Sequence, residues 1–99
     1  MLIVRGRVKL QAEQQMQGLK LSMQHVARSR QEAGCISHAV YVDVEDPTTL
    51  MFFEEWADQA ALDAHFALAA SREFMHELMA MADGEPELRI FEASIVEPS

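Results

Sequence analysis

Residues 35–56 read CISHAVYVDVEDPTTLMFFEEW, and this stretch decides the fold. In its first half, apolar side chains recur at every second position, as they do in a strand that buries one face. The acidic and proline-containing segment 45–49 has the composition of a turn. A second apolar run then continues to Trp56. The stretch therefore predicts an antiparallel hairpin with strands over 35–44 and 50–56.

The flanking sequence completes an α+β arrangement. Residues 2–10 alternate with period two, which predicts a first strand. A helix follows, with an apolar stripe at Ala12, Met16, Leu19, Met23 and Val26. After the hairpin, Asp58 is an N-cap for a second helical region, which we expect to break near Ala70–Ser71, with Ser71 as a second cap. A last strand is expected over 88–96. The order β-α-β-β-α-β predicts a split, ferredoxin-like fold with an antiparallel sheet and helices on one face.

Length, charge and cysteine content limit the classes of function that we expect. The 99 residues fit a single domain over 1–99, with a formal net charge of −8 and one cysteine. The acidic balance argues against nucleic acid and anionic membrane surfaces as partners. The absence of a long apolar run and of cystine pairs favours a cytoplasmic protein.

The hairpin also predicts a small-molecule site. A five-residue loop would pair Val44 with Leu50, which places His38 opposite Trp56 and Glu54 diagonal to His38. His65 lies on a helical stripe that should face the same side of the sheet. An apolar gap with a few convergent polar groups is the usual form of a ligand pocket. The predicted catalytic residues are His65 and His38, and the predicted substrate-binding residues are Trp56, Glu54, Phe52, Leu62 and Phe66.

A plainer interpretation uses the same residues. A single histidine on an apolar stripe is more often a satisfied core residue than a catalyst, and a tryptophan at a strand end usually packs. His25 falls off the predicted helix stripe and is expected at the surface.

The residue spacings predict neither a metal nor a cofactor. Cys35 and His38 are expected on opposite faces of their strand, and His65 and His76 lie too far apart along the helical region to share an ion. The sequence contains no HExxH, no CxxC and no phosphate-binding glycine loop.

The uncovered face of the sheet predicts a partner. It would expose Tyr41, Met51 and Phe53 beside charged side chains. On so small a domain, such a face is most simply covered by a second copy, so a homodimer is expected.

Several short motifs follow one another in an order that indicates a known family: Gly34–Cys35 before a strand, EDPTTL over 45–50, Glu54-x-Trp56, and AALDAH ending at His65. Together they resemble the antibiotic biosynthesis monooxygenase domain family, including its quinol monooxygenases. The resemblance implies a dimeric α+β barrel and oxidation of a small quinol or polyphenol by O2 without a cofactor. Such chemistry needs a base and a dry pocket, roles that suit His65 or His38.

Two departures from the family pattern border the expected pocket. The family commonly has tyrosine where this chain has His38, and a shorter segment after the histidine than residues 65–74 here. A non-catalytic dimeric module for ligand binding or stress response, or an isomerase of a small phosphorylated ketone, are the alternatives on the same fold.

Overall fold

The computed structural model describes residues 1–98, which form a four-stranded antiparallel sheet and three α-helices. The strands are β1 (Leu2–Lys9), β2 (Cys35–Val42), β3 (Thr49–Trp56) and β4 (Glu87–Glu92). The helices are α1 (Gln15–Ser29), α2 (Gln59–Ala67) and α3 (Ala69–Met81), and a 3-10 turn at Ala12–Gln14 precedes α1. The strand order is β2-β3-β1-β4. This is the predicted ferredoxin-like βαββαβ fold, with β4 ending four residues earlier than expected.

The hairpin forms, but its predicted register is wrong by two residues. Val42 pairs with Leu50, and His38 pairs with Glu54 rather than with Trp56. Strand β2 ends at Val42, two residues before the predicted end, because side chains in the turn accept hydrogen bonds from backbone amides. The Asp43 side chain accepts from the Glu45 amide, and the Asp46 side chain accepts from the Thr48 amide. A shift of two preserves the face, so the same side chains still point toward the helices.

A β-bulge between Cys35 and Ser37 changes the start of β2. Cys35 pairs with Trp56, and pairing resumes at Ser37 opposite Glu55. The extra residue, Ile36, is left exposed. Because of the bulge, Cys35 pairs with Trp56 and His38 with Glu54, two residues that share one face of β3. Cys35 and His38 therefore lie on the same face of the sheet, and their expected placement on opposite faces is wrong.

Helix α1 buries a face that matches the predicted stripe only in part, since Val26 is buried and Leu19 packs against the core, as predicted. Met16 and Met23 are 82% and 59% exposed, whereas Gly18, Ser22, His25, Val26 and Ser29 are buried. The hydroxyls of Ser22 and Ser29 donate to the carbonyls of Gly18 and His25, both at 2.7 Å, so they can be buried without unpaired donors. A Cβ at Gly18 would overlap the Leu10 side chain, which shows how closely the helix approaches the sheet.

The second helical region is two helices that meet at Leu68. The Asp58 side chain accepts from the Ala61 amide, which confirms the predicted N-cap of α2. Leu68 has extended backbone dihedrals and separates α2 from α3. Ser71 is therefore not a cap, because it lies buried inside α3. None of the helices within residues 1–98 combines the length and the apolar character that crossing a bilayer requires.

Two apolar clusters hold the helices on the sheet. The larger contains Val8, Leu10, Val26, Leu50, Phe52, Phe74 and Leu78. The smaller contains Leu2, Val4, Trp56 and Leu62. The histidines discussed next lie among these apolar side chains, under the helices.

Candidate functional site

Three buried histidines from three elements meet under the helices. His25 comes from α1, His38 from β2 and His65 from α2, and each is at most 4% exposed. Their ring centroids lie 5.3 Å apart for His25–His38, 5.3 Å for His25–His65 and 5.6 Å for His38–His65. We call these three residues the histidine cluster.

His65 has a carboxylate partner. Its Nδ1 lies 2.9 Å and 3.1 Å from the two carboxylate oxygens of Glu32. A carboxylate accepts, so in this pair Nδ1–H donates and Nε2 stays available for a second group. Glu54 lies farther away, with its Oε1 3.9 Å from Nε2 of His65.

The position of Glu32 depends on the turn that joins α1 to β2. Gly34 has a φ of +81°, a backbone conformation that glycine adopts without a steric penalty. A Cβ at Gly34 would lie only 2.5 Å from the Ala61 Cβ on α2. The glycine therefore lets this turn pack directly against the helix that carries His65.

Glu54 connects the sheet to the histidine cluster. Its Oε1 accepts a hydrogen bond from the Trp56 indole at 2.9 Å and lies 3.3 Å from Nε2 of His38. Burial opposes the charged carboxylate, but His38, Trp56 and His65 outweigh it and lower the pKa of Glu54 below its ordinary value. A buried negative charge is thus maintained beside the three rings.

His38 is buried without a hydrogen bond. Its side chain is fully excluded from solvent, and neither ring nitrogen has a hydrogen-bond partner within residues 1–98. The 3.3 Å contact with Glu54 is close enough for charge interaction but lacks hydrogen-bond geometry. An unpaired buried donor or acceptor costs about 1–3 kcal/mol, so this ring has an unmet requirement for a partner.

His25, which the sequence pattern placed at the surface, is buried and belongs to the cluster. Its ring stacks on Phe74 with centroids 3.9 Å apart and an interplanar angle of 4°. Arg28 approaches Nδ1 at 3.2 Å. Burial lowers the pKa of His25 to about 3, with His38, His65 and Arg28 adding to the shift. This ring is therefore neutral at physiological pH.

An apolar cleft of about 100 Å³ opens beside the cluster. His25, Glu54 and His65 supply polar groups on the side of the cluster, and Arg7 and Glu87 also line the cleft. Much of the apolar wall comes from Phe74, Met75 and Leu78. Four of the predicted site residues line it, namely Phe52, Glu54, His65 and Phe66.

The other three predicted site residues do not line the cleft. Trp56 and Leu62 are fully buried in the smaller core cluster. His38 is buried and is not among the residues that line the cleft. Trp56 orients Glu54 by its indole hydrogen bond and contacts the His65 ring, with centroids 4.5 Å apart. The aromatic side chains that line the cleft are instead Phe52, Phe66 and Phe74.

Sequence reasoning missed His25, Glu32 and Phe74. A signal for His25 was available, because Gly18, Ser22, His25 and Ser29 follow the helical spacing of four, three and four. These small and polar residues were overlooked because methionine and leucine define a more apolar stripe. The Glu32–His65 pair joins residues 33 apart in the chain, and local spacing does not reveal such a pair.

Fold and site together define a ferredoxin-like α+β domain that places buried histidines and carboxylates beside a small apolar cleft between sheet and helices. Residues 1–77 match the family model described as "Antibiotic biosynthesis monooxygenase". The chain belongs to this family, which confirms the resemblance of its motifs. The match ends within α3, so β4 and the Pro86–Leu88 side of the cleft lie beyond it.

Comparison with individual proteins supports the fold. A crystal structure of an antibiotic biosynthesis monooxygenase is 29% identical, with a TM-score of 0.89 over 96% of this chain and 100% of that one. A Deinococcus radiodurans protein has a TM-score of 0.93 over 100% and 98% of the two chains, and its 23% identity makes this a likeness of fold alone. An uncharacterized Synechocystis protein is 31% identical over 90 residues, which are 91% of this chain and 61% of the relative. The chain thus spans about three fifths of that relative.

Proposed function

We propose that the protein is a monooxygenase that oxidises a small quinol or polyphenol with O2. The observation that carries this proposal is the His65–Glu32 pair at the wall of an apolar cleft. A base of this kind can take the proton of a phenolic hydroxyl, and the apolar surroundings keep the resulting phenolate poorly hydrated.

The arrangement fits a proton transfer through His65. Glu32 fixes the ring orientation at Nδ1, so Nε2 is the nitrogen that would accept a substrate proton. The substrate anion would then be the electron donor to O2. One oxygen atom enters the ring and the other leaves as water, so that a hydroquinone and O2 give a hydroxyquinone and water. Glu54 would stabilise the protonated imidazole, because its carboxylate lies 3.9 Å from Nε2.

The volume of the cleft limits the substrate. An apolar cavity of about 150 Å³ holds one benzene ring, and this cleft encloses about 100 Å³. A single ring would therefore fit only with one edge outside the enclosed volume. Fused aromatic systems are too large to reach His65 in this conformation.

The small volume of the cleft also favours one alternative function, a non-catalytic module. A non-catalytic module that binds a small apolar ligand, or that keeps this cleft closed, would also show a compact pocket. Turnover separates the two functions, because only the enzyme consumes O2.

The proposed experiment is oxygen uptake by tag-free, metal-stripped protein with a panel of single-ring hydroquinones. His65→Leu fills the space of the ring without its nitrogens, and we expect turnover to fall on the order of a hundredfold. Since the change leaves Glu32 without its partner, we also expect a loss of stability of about 1–3 kcal/mol. Rates are therefore expressed per folded molecule.

His76→Asn is the matched control, because His76 is an exposed histidine on α3. It should retain wild-type turnover and stability. Wild-type turnover in folded His65→Leu would remove His65 from the mechanism. An absence of O2 uptake with every hydroquinone, both by the stripped protein and after divalent transition metal is restored, together with ligand binding in the cleft, would favour the non-catalytic module.

A further inference from the structure

The histidine cluster has a geometry that neither a packed core nor a single catalytic base requires. One ring nitrogen from each of His25, His38 and His65 lies within 4.8 Å of the other two. In a tetrahedral site with metal–nitrogen bonds of about 2.0–2.1 Å, the centroids of two imidazole ligands lie about 5 Å apart. The observed centroid separations of 5.3–5.6 Å are close to that value.

A carboxylate oxygen of Glu54 lies close to two of the three imidazoles. Glu54 Oε1 is 3.3 Å from Nε2 of His38 and 3.9 Å from Nε2 of His65. Neighbouring ligand atoms in a tetrahedral site are about 3.4 Å apart. The three imidazoles thus form the grouped set of ligands, and Glu54 is a carboxylate neighbour of two of them, His38 and His65.

The unmet requirement of His38 is an independent indication. Its ring is fully buried and has no hydrogen-bond partner within residues 1–98. A metal ion would supply the missing partner. His65 already shows the second feature of a ligating histidine, since its outer nitrogen donates to the Glu32 carboxylate.

We propose that His25, His38 and His65 form a binding site for a divalent transition-metal ion such as Zn²⁺ or Co²⁺, with the Glu54 carboxylate, beside Nε2 of His38 and of His65, as an oxygen donor. Imidazole nitrogen suits these ions, whereas Mg²⁺ and Ca²⁺ prefer sets made only of oxygen atoms. The Glu54 carboxylate offsets part of the ion's charge in a buried position. The inference does not rest on the proposed monooxygenase activity, and it departs from the expectation that the chain binds no metal.

Arg28 opposes binding in a way that can be tested. Its guanidinium donates to Nδ1 of His25 at 3.2 Å, so the proton of the neutral ring lies on Nε2. Arg28 must release Nδ1 if that nitrogen binds the ion, and also if Nε2 binds it, because the ring proton must then move from Nε2 to Nδ1. Arg28 is exposed and can turn to solvent. Arg28→Gln should therefore bind the ion more tightly than the wild type.

The primary experiment titrates tag-free, chelator-stripped protein with Co²⁺. We expect one equivalent per chain, visible d–d absorption of a four-coordinate site, and loss of this signal when Zn²⁺ displaces Co²⁺. His38→Asn should weaken binding at least tenfold. Glu32→Gln, which changes only the partner of a ligand, should weaken it 10–100-fold. His76→Asn should bind as the wild type does.

A second measurement on unmutated protein guards against variants that fail to fold. X-ray absorption of the Zn²⁺-loaded wild type should show three imidazoles and one oxygen ligand in the first shell. Co²⁺ binding that is unchanged in folded His38→Asn would overturn the proposal. So would a wild-type spectrum with one or two imidazoles, or a stripped protein that takes up no ion at micromolar concentration.

Discussion

Gly6 offers a direct test of the cleft, because it forms part of the wall where any other residue would place a side chain. It lies on β1 between Val4 and Val8, on the face that the helices cover, and it lines the cleft. A Cβ added at Gly6 would lie 3.7 Å from both Leu88 Cδ1 and Phe52 Cβ, which is ordinary van der Waals contact. Gly6→Ala should therefore fold without strain and place a methyl group in the cleft.

The expected stability change is favourable. Glycine inside a strand costs about 0.5–1 kcal/mol relative to alanine, and a buried methylene contributes about 0.8 kcal/mol. Since the new methyl is only partly covered, we expect a net gain of about 1 kcal/mol in the free energy of unfolding. For a domain of this size, that raises the melting temperature by about 4–8 °C.

Ligand binding should change in the opposite direction. One methylene too many in an apolar pocket typically costs a factor of about 10–200 in specificity. We therefore expect kcat/KM for a hydroquinone to fall at least tenfold in Gly6→Ala, or the affinity for an aromatic probe to fall equally if the protein does not turn over. Thermal unfolding and ligand-observed NMR on the same preparation measure both quantities.

Gly84→Ala is the matched control. Gly84 has a φ of +96°, and a Cβ added there would have no atom within 4 Å, so the change introduces backbone strain away from the cleft. It should lower stability by about 1 kcal/mol and leave ligand binding unchanged. A Gly6→Ala protein with wild-type ligand affinity would show that the cleft is not the binding site. A large loss of stability would contradict the packing of β1 against Leu88 and Phe52.

Two further predictions concern the turn after α1 and the open face of the sheet. Gly34→Ala should destabilise the protein by about 2–4 kcal/mol, because alanine at a positive φ is strained and its Cβ would overpack against Ala61. Adding Ala61→Gly to the same chain should restore only the part of the stability that overpacking removes. Urea unfolding of the single and double variants measures both parts. Full recovery in the double variant, or none, would contradict this division. The open sheet face should pair with a second copy, so sedimentation at micromolar concentration should give the mass of two chains, and Phe53→Lys should give one. A stable wild-type monomer would refute the homodimer.

The sequence was sufficient for the fold because its periodicities are strong. Period-two alternation in residues 2–10 and 35–44 and the Asp58 cap predict elements that the structure contains. The hairpin register could not be obtained in the same way, because it depends on side-chain hydrogen bonds of Asp43 and Asp46 in the turn. Alternation gives the face of a residue but not its partner across the ladder.

The site was predicted only in part for a related reason. Glu54 and His65 lie on recognisably buried faces, and both border the cleft. The buried face of α1 is made of Gly18, two serines and His25, and an apolar scale ranks such a face as exposed. Its burial follows from close helix–sheet approach and from serine hydroxyls that bond within the helix. Those contacts depend on tertiary packing, which the sequence pattern does not contain.

The histidine cluster is costly to keep in a domain of this size. Burying three imidazoles and a carboxylate is less favourable than burying apolar side chains of similar volume, and His38 is buried without a hydrogen bond. A core that only needed packing would have no reason to place a charge and three rings together. The cluster is therefore better explained by function than by stability.

The two functions proposed for the cluster compete for one atom. Nε2 of His65 is the nitrogen that would take a substrate proton, and it is also the nitrogen that would bind a metal ion. If His65 acts as a base, Zn²⁺ should inhibit oxygen uptake, and His38→Asn should raise the Zn²⁺ concentration needed for inhibition at least tenfold while retaining turnover. If the reaction instead uses the ion, chelation should abolish turnover, and His38→Asn should lose metal affinity and turnover together. His38 separates the two cases because it belongs to the metal set and lies outside the cleft wall.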